Sequence, residues 1–451
     1  MALSGLLICA FLLGGSSRGD VAQLIILRPL AILLLGFGLW GISREQVREH
    51  RYLAILAGVF LLLPLIQLIP LPPAIWMNLP GHEIVASIDA ATGLGPIWRP
   101  ISLAPTATAN AFFSLFVPLA ILVLGFRLSS NERARLVPLL IALIAASSLL
   151  GMFQLMGARG SALYFYRVTH GDSAVGFFAN RNHQAAMLAC LFPLLAVFAS
   201  GGGRRTKWRH WFAAAVGAVL IPAILITGSR AGMFAGLLGI VLAVGLYHRA
   251  SPRGARRAGS RARSSLVYLL VAAGGLAMAG LTIWMQRAES FQRVLAFDSE
   301  QDARFRAWSP IADIAARFMP FGSGYGSFAD VYKMYEPREL LHTTYFNQAH
   351  NDWLEVAMTG GVLAMLLLAV VVGLIAWRAV SLGLAMRRGS RDERLAGLGL
   401  AIMVILAFAS FSDYPLRVPA IACVFVLAAL WMAPHGRAAG SVADCETGSP
   451  D

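Results

Sequence analysis

Charge is what this 451-residue chain has least of: Asp, Glu, Lys and Arg make up 13% of it, against 58% for the hydrophobic types. Soluble domains carry about 25% charged residues, so so little charge with a mean hydropathy of +0.68 excludes a soluble globular chain and indicates a polytopic membrane protein. Cysteine is also scarce. Of the four, Cys9, Cys190 and Cys423 lie in apolar segments and Cys445 in a polar tail, which supports neither a disulfide framework nor a Cys-based zinc site. No His-Glu-x-x-His occurs, and His342 and His350 stand eight apart with no matching ligand set, so no metal site is expected. A secretory leader is not evident either. Leu3 to Leu13 has no charged flank before it and no small-residue cleavage site after it, and reads as a short first span.

Acidic residues are fewer than basic ones, 23 against 37, for a formal charge of +14. Nucleic acid is not the implied partner, because the basic residues form short clusters between apolar segments, the pattern that orients membrane spans. Those segments run near 3 to 15, 22 to 41, 52 to 71, 109 to 126, 134 to 155, 183 to 199, 211 to 227, 231 to 248, 266 to 285, 354 to 377, 395 to 411 and 418 to 433. They predict an all-α fold of about 12 transmembrane helices in a membrane domain over residues 1–435, followed by a polar tail, 436–451. Alternate connections hold Arg44, Arg48 and Arg51; Arg127, Arg133 and Arg135; Arg204, Arg205, Lys207 and Arg209; the tract Arg249 to Ser265; and Arg378 to Arg394. These loops and both termini are predicted to be cytoplasmic. The Arg, Gly, Ser and Ala bias of the fourth connection reads as an inner-leaflet anchor against membrane lipids. A large extracytoplasmic loop, about 286 to 353, then joins spans 9 and 10, with a short amphipathic helix at Ile311 to Phe318 and a turn-rich stretch at Phe321 to Phe328. It is long enough to fold over the membrane surface as a lid.

The unusual polar residues gather on that same side. They are Asn180, Arg181, Asn182 and His183 at the start of the sixth span, Ser229 and Arg230 in the turn between the seventh and eighth, Arg304, Arg306 and Trp308 in the large loop, and His350-Asn351-Asp352-Trp353-Leu354-Glu355 at the start of the tenth. Ionisable groups beside a span mark a functional site by default. Each also has a plain structural reading. Arg181 and Arg230 alone can snorkel to headgroups, and Asn351 or Asp352 can cap a helix while Glu355 satisfies first-turn donors. Trp308 and Tyr325 suit an interfacial aromatic belt. Three or more arginines beside an imidazole and carboxylates favour an anion site instead, since guanidinium pairs bidentately with phosphate oxygens. Gly322-Ser-Gly-Tyr-Gly follows no strand and is no nucleotide loop, and Ser229 is a turn residue without an evident base.

Taken in order, Gly176-Phe-Phe-Ala-Asn180-Arg-Asn182-His, Gly228-Ser-Arg230-Ala-Gly232, Arg304-Phe-Arg-Ala-Trp308, Pro320-Phe-Gly-Ser-Gly-Tyr-Gly-Ser-Phe328, His350-Asn-Asp-Trp-Leu-Glu355 and Gly360-Gly361 resemble the bacterial O-antigen ligase and polymerase superfamily. The resemblance covers most of the chain, with a core motif region of about 175–415. It implies an integral-membrane glycosyltransferase of the C-type architecture that takes a glycan from an undecaprenyl diphosphate carrier at the outer face of the bacterial inner membrane. The acceptor it implies is lipid A core in a ligase or a growing polysaccharide in a polymerase, with the active site facing the periplasm. Metal-independent chemistry without a cofactor is implied too, with His350 as base, Arg181, Arg230, Arg304 and less directly Arg306 on the diphosphate, and Asn180, Asn182, Asn351, Asp352, Glu355, Trp308 and Tyr325 as positioning groups. Two readings from other classes stand beside it: a flippase or transporter for lipid-linked glycan, and a non-catalytic envelope assembly protein. A transporter would place charge at mid-span depth, whereas these span interiors are almost free of it.

Overall fold

A computed structural model describes residues 1–157, 161–201, 206–250, 299–341, 345–385 and 390–433. The expected span at 266 to 285, the basic tract after Ala250, the first part of the large loop to 298, His342 and the tail 436–451 lie outside the described residues. Every other predicted apolar segment overlaps a helix. These are α1 (Ala2–Leu13), α2 (Leu24–Trp40), α3 (Arg51–Leu68), α4 (Pro105–Ser114), α5 (Phe116–Phe126), α6 (Leu136–Met156), α7 (Arg181–Ala199), α8 (Thr206–Ile226) and α9 (Arg230–Ala250). After the undescribed stretch come α10 (Ser299–Arg317), α11 (Phe328–Tyr335), α12 (Asp352–Ala385), α13 (Arg391–Ala409) and α14 (Pro419–Met432). Among the described residues seven helices are long and apolar enough to cross a membrane, and α1, α2 and α14 are shorter apolar helices. At 1.5 Å per residue, α1 reaches only about 18 Å, well short of the roughly 30 Å hydrocarbon core. It is nonetheless an internal element, with Leu6, Leu7, Ala10 and Phe11 fully buried.

Local chemistry sets the helix ends. Asn180 caps α7 by accepting from the Asn182 amide at 2.9 Å, and Ser390 with Glu393 closes a capping box on α13. Proline opens α4 and α14, where a missing N–H costs nothing. α7 is buried along its length from Arg181 to Leu195, so it is the central post of the bundle. Small residues allow that. A side chain on Gly232 of α9 would collide with Ala185, and one on Gly239 would meet the Ala189 carbonyl, so α9 lies directly on α7.

Hydrogen bonds between connections show which helix ends are level. Gly14 O accepts from Ala420 N and Gly15 O from Ala179 N, while Asp352 N donates to Ser410 O and Ser102 N to Gln67 O. At the opposite end Arg133 meets His50 at 2.8 Å, and Ser130 and Asn131 meet Asp392 and Arg391. The helices therefore alternate in direction, with the ends of α1, α3, α6 and α13 beside the starts of α7, α9, α12 and α14.

The large loop departs from expectation in extent. The short helix expected at Ile311 to Phe318 is the end of the 19-residue α10, and a second helix, α11, follows the turn-rich stretch. Ala307, Ile311, Ile314, Phe318, Phe328, Val331 and Tyr332 of these helices pack with Ala349 and Met358 into a core of their own. Helical spacing at 307, 311, 314 and 318 continues one face through both halves of α10, which is why the element is longer than its last turns alone suggest.

Glycine builds the junction between this layer and the bundle. α12 is broken at Gly361, whose φ of +63° belongs to the left-handed region. Into the break fits the Pro320–Phe328 stretch, main chain against main chain: Ser323 N donates to Met358 O, Gly324 N to Thr359 O and Val362 N to Pro320 O. A side chain at Gly322 or Gly361 would strike the facing backbone. Gln67 at the end of α3 completes the junction, donating to Thr359 O at 2.9 Å and Phe321 O at 3.2 Å and accepting from Tyr325 N at 2.9 Å. The turn-rich stretch is thus a latch onto a helix break.

Candidate active site

Three chain segments converge on one carboxylate, Asp413, in the connection between α13 and α14. His350 Nδ1 lies 3.3 Å from its Oδ1, to which Tyr414 N also donates at 3.0 Å. The other oxygen, Oδ2, accepts from Asn180 Nδ2 at 3.1 Å and Asn182 Nδ2 at 2.6 Å. His183 Nε2 stands 3.8 Å from Oδ1. An ionised carboxylate only accepts, so Nδ1 of neutral His350 carries the proton and Nε2 is the basic nitrogen of that ring. Burial alone would raise the Asp413 pKa, but the His350 hydrogen bond and the charges of His183, His350 and Arg304 outweigh it and hold the group below the usual carboxylate range.

The backbone presents His350 in an uncommon way. Its φ of +48° makes it the non-glycine residue with positive φ among those described, a conformation that costs energy and persists only where its surroundings impose it. Those surroundings are identifiable. Asn351 Oδ1 accepts from Trp353 N and Leu354 N at 3.0 and 3.2 Å and caps α12, while Glu355 Oε2 accepts from Ala349 N at 2.8 Å. Arg417 Nε donates to Asp352 Oδ1 at 3.0 Å, and a terminal nitrogen of the same guanidinium forms an ion pair with Glu355 Oε1 at 3.1 Å. His350 is therefore bracketed by a cap on one side and a buried ion triad on the other, with the Tyr414 ring 4.9 Å from its own between centroids.

The expected arginines divide. Arg181 is buried at the first position of α7, where its backbone N–H faces His170 Nδ1 at 3.4 Å. His170, in the connection before α7, is pushed down to about 4, first by burial and then by the positive charges of Arg181 and Arg304. Arg304 on α10 is half-buried, and its charge acts on His170, Asp413 and Tyr414 alike, which ties the large loop electrostatically to the Asp413 centre. Arg306 is exposed, two residues and about 200° further round the same helix. Arg230 opens α9, half-buried. A narrow cleft, with room for little more than a water, runs from that first turn to the centre, lined by Ala231 and Gly232 on one side and Asn182, His183, Ser412 and Asp413 on the other.

Trp308 and Tyr325 lie further out. Trp308 is half-buried, edge-on to Phe305 at 4.8 Å, with its Nε1 buried and unpartnered. Tyr325 belongs to the glycine latch and packs with Leu63, Val356, Ala364 and Leu367; burial pushes its hydroxyl up to about 12 against the opposing charge of Arg417. Among the described residues no group of three or more His, Cys, Asp or Glu is placed to hold a metal ion.

Sequence reasoning passed over Asp413, Arg417 and His170. Asp413 and Arg417 are the only charged residues between Arg394 and Arg437, and that isolation is the signal that marks them. His170 has no comparable mark.

No curated protein matches the chain. The family comparison finds the model described as O-antigen ligase across residues 220–369, a stretch that holds Arg230, Arg304, the glycine latch and all of His350 to Glu355. That match covers a third of the chain and, with seven helices apolar enough to cross a membrane among the described residues, supports the O-antigen ligase-like superfamily.

Proposed function

We propose that this protein transfers a glycan from an undecaprenyl diphosphate carrier to an acceptor hydroxyl, as an O-antigen ligase or a surface-polysaccharide polymerase. The family match supports a function of this general type and, in general terms, a lipid-linked glycan donor and a polysaccharide acceptor. The single observation that carries the finer reading is the His350–Asp413 pair. It keeps the imidazole in one tautomer, with its basic nitrogen turned away from the carboxylate.

In this reading His350 Nε2 takes the proton of the acceptor hydroxyl as that oxygen attacks the anomeric carbon, and the bond to the carrier diphosphate breaks. Asp413 orients the ring and stabilises the imidazolium that forms. Negative charge grows on the leaving diphosphate, and Arg181, Arg230 and Arg304 answer it in place of a divalent metal, with Arg306 at the rim. Asn180 and Asn182 hold Asp413, and Asn351, Asp352 and Glu355 hold the turn that carries His350. The site faces the periplasm, at the outer surface of the inner membrane, and both termini are cytoplasmic.

A flippase fits less well. Arg181, Arg230 and Asp352 stand at the first positions of their helices, not at mid-depth where a transport path needs them. The test is a purified system supplied with lipid-linked glycan and acceptor. His350→Ala is expected to lower transfer by about 10²-fold or more while donor binding persists; unchanged turnover would sink the assignment of the base. Deletion of the gene separates the two acceptors. Long glycan left on its carrier indicates a ligase, and single repeats on lipid A indicate a polymerase.

A further inference from the structure

We propose that His183 shares Asp413 with His350 and thereby sets how tightly His350 holds a proton. The proposal rests on the reading of His350 as the base. It starts from an anomaly of hydrogen bonding. His183 is 1% exposed, yet neither of its ring nitrogens has a hydrogen-bond partner, although buried polar atoms are nearly always satisfied. One of them, Nε2, is aimed at Asp413 Oδ1 at 3.8 Å, the same oxygen that faces His350 Nδ1 at 3.3 Å. The two imidazoles thus flank one carboxylate oxygen. Tyr414 lies against both, its ring centroid 5.1 Å from that of His183 and 4.9 Å from that of His350.

The division of Asp413 has a chemical consequence. A carboxylate stabilises an imidazolium in proportion to the charge left uncompensated by its other donors. His183, as a neutral ring with its proton on Nε2, is a second donor held just beyond bonding distance, able to take up Asp413 charge when His350 is neutral. It keeps the proton affinity of His350 lower than an undivided Asp413 would make it. That suits a base that must be unprotonated before each turnover. His183 touches no reacting atom in this scheme; it is a positioning residue acting through Asp413.

Other charges around the pair come from every neighbouring element. Arg181 stands at the start of α7, Arg304 on α10, His170 in the connection before α7, and Arg417 with Asp352 and Glu355 on the far side of the His350 turn. The Arg417 triad pairs one guanidinium with two carboxylates on the α12 side of that turn, and these ion pairs do not involve His183.

The experiment is the pH dependence of transfer by the full-length protein in lipid discs, with lipid-linked glycan and acceptor supplied, for the unaltered protein, His183→Leu, His183→Gln and His350→Ala. Leu removes the second donor, so Asp413 acts more fully on His350. The acid limb of kcat/KM is expected to move to higher pH by about half a unit or more. Gln restores a neutral N–H donor at similar reach and is expected to return the limb to its original position. A purely structural histidine would lower the amplitude of all profiles without moving the limb. Where His183→Leu does not fold, His183→Met carries the same expectation in a more adaptable side chain. An unmoved limb in the apolar variant, alongside loss of transfer in His350→Ala, overturns the sharing of Asp413 and leaves the base in place. Full turnover by His350→Ala removes the base itself, and this proposal with it.

Discussion

At the scale of single residues, Asp413 is the group on which the centre depends. It is held ionised by its donors, so replacing it alters the ring it orients. Asp413→Asn keeps the shape and loses the charge, and also offers an N–H where His350 Nδ1–H needs an acceptor. Transfer is expected to fall by about 10²- to 10⁴-fold with the fold intact, measured as turnover beside a thermal melt. His170 yields a prediction about stability. Its folded pKa of about 4 lies below the roughly 6.5 of an unfolded chain, so acidification protonates the unfolded state first. The folded protein loses stability progressively as pH falls from about 6.5 to 4, by an amount on the order of 3 kcal/mol once both states are protonated. His170→Asn should flatten that part of the profile of melting temperature against pH; an unchanged slope would place the sensitivity elsewhere. The sequence made His350, Asn351 and Glu355 legible because they are contiguous polar residues beside a span. Asp413 and His183 met through folding across a separation of 230 residues, and no local pattern encodes that meeting.

At the scale of elements, apolar runs bounded by charge made the helices legible, whereas the break in α12 was not. Hydropathy is blind to φ, and Gly360-Gly361 reads as an ordinary part of an apolar run until the Pro320–Phe328 stretch is seen seated against it. Gly361→Ala puts a Cβ against the facing backbone at a positive φ. It is expected to cost about 1–2 kcal/mol from conformation alone and more from the clash, read as a lower melting temperature and increased proteolysis of the large loop. Conversely, Gly245 on α9 meets nothing within 4 Å, and Gly245→Ala should leave both properties unchanged or slightly improved. The length of α10 was underread because its first half is polar; Ala307 joins that half to the core, ahead of Ile311 and Ile314 in the second half.

At the scale of the whole molecule, alternate connections meet at opposite ends, and the proposed orientation makes this testable. Cysteine placed at Leu94, exposed beside the His350 end, is expected to react with an impermeant maleimide added outside intact spheroplasts. Cysteine at Ser130, where α6 approaches α13 at the other end, should react only after permeabilisation. The reverse pattern would invert the topology and move the centre to the cytoplasm. The glycine latch carries one more consequence. Three of the bonds that seat it on α12 join main-chain atoms, so mutation can rewrite the outward side chains of the loop while these bonds persist. Under the proposed function, the outward face of the loop can therefore change over generations while the histidine beneath it stays in register.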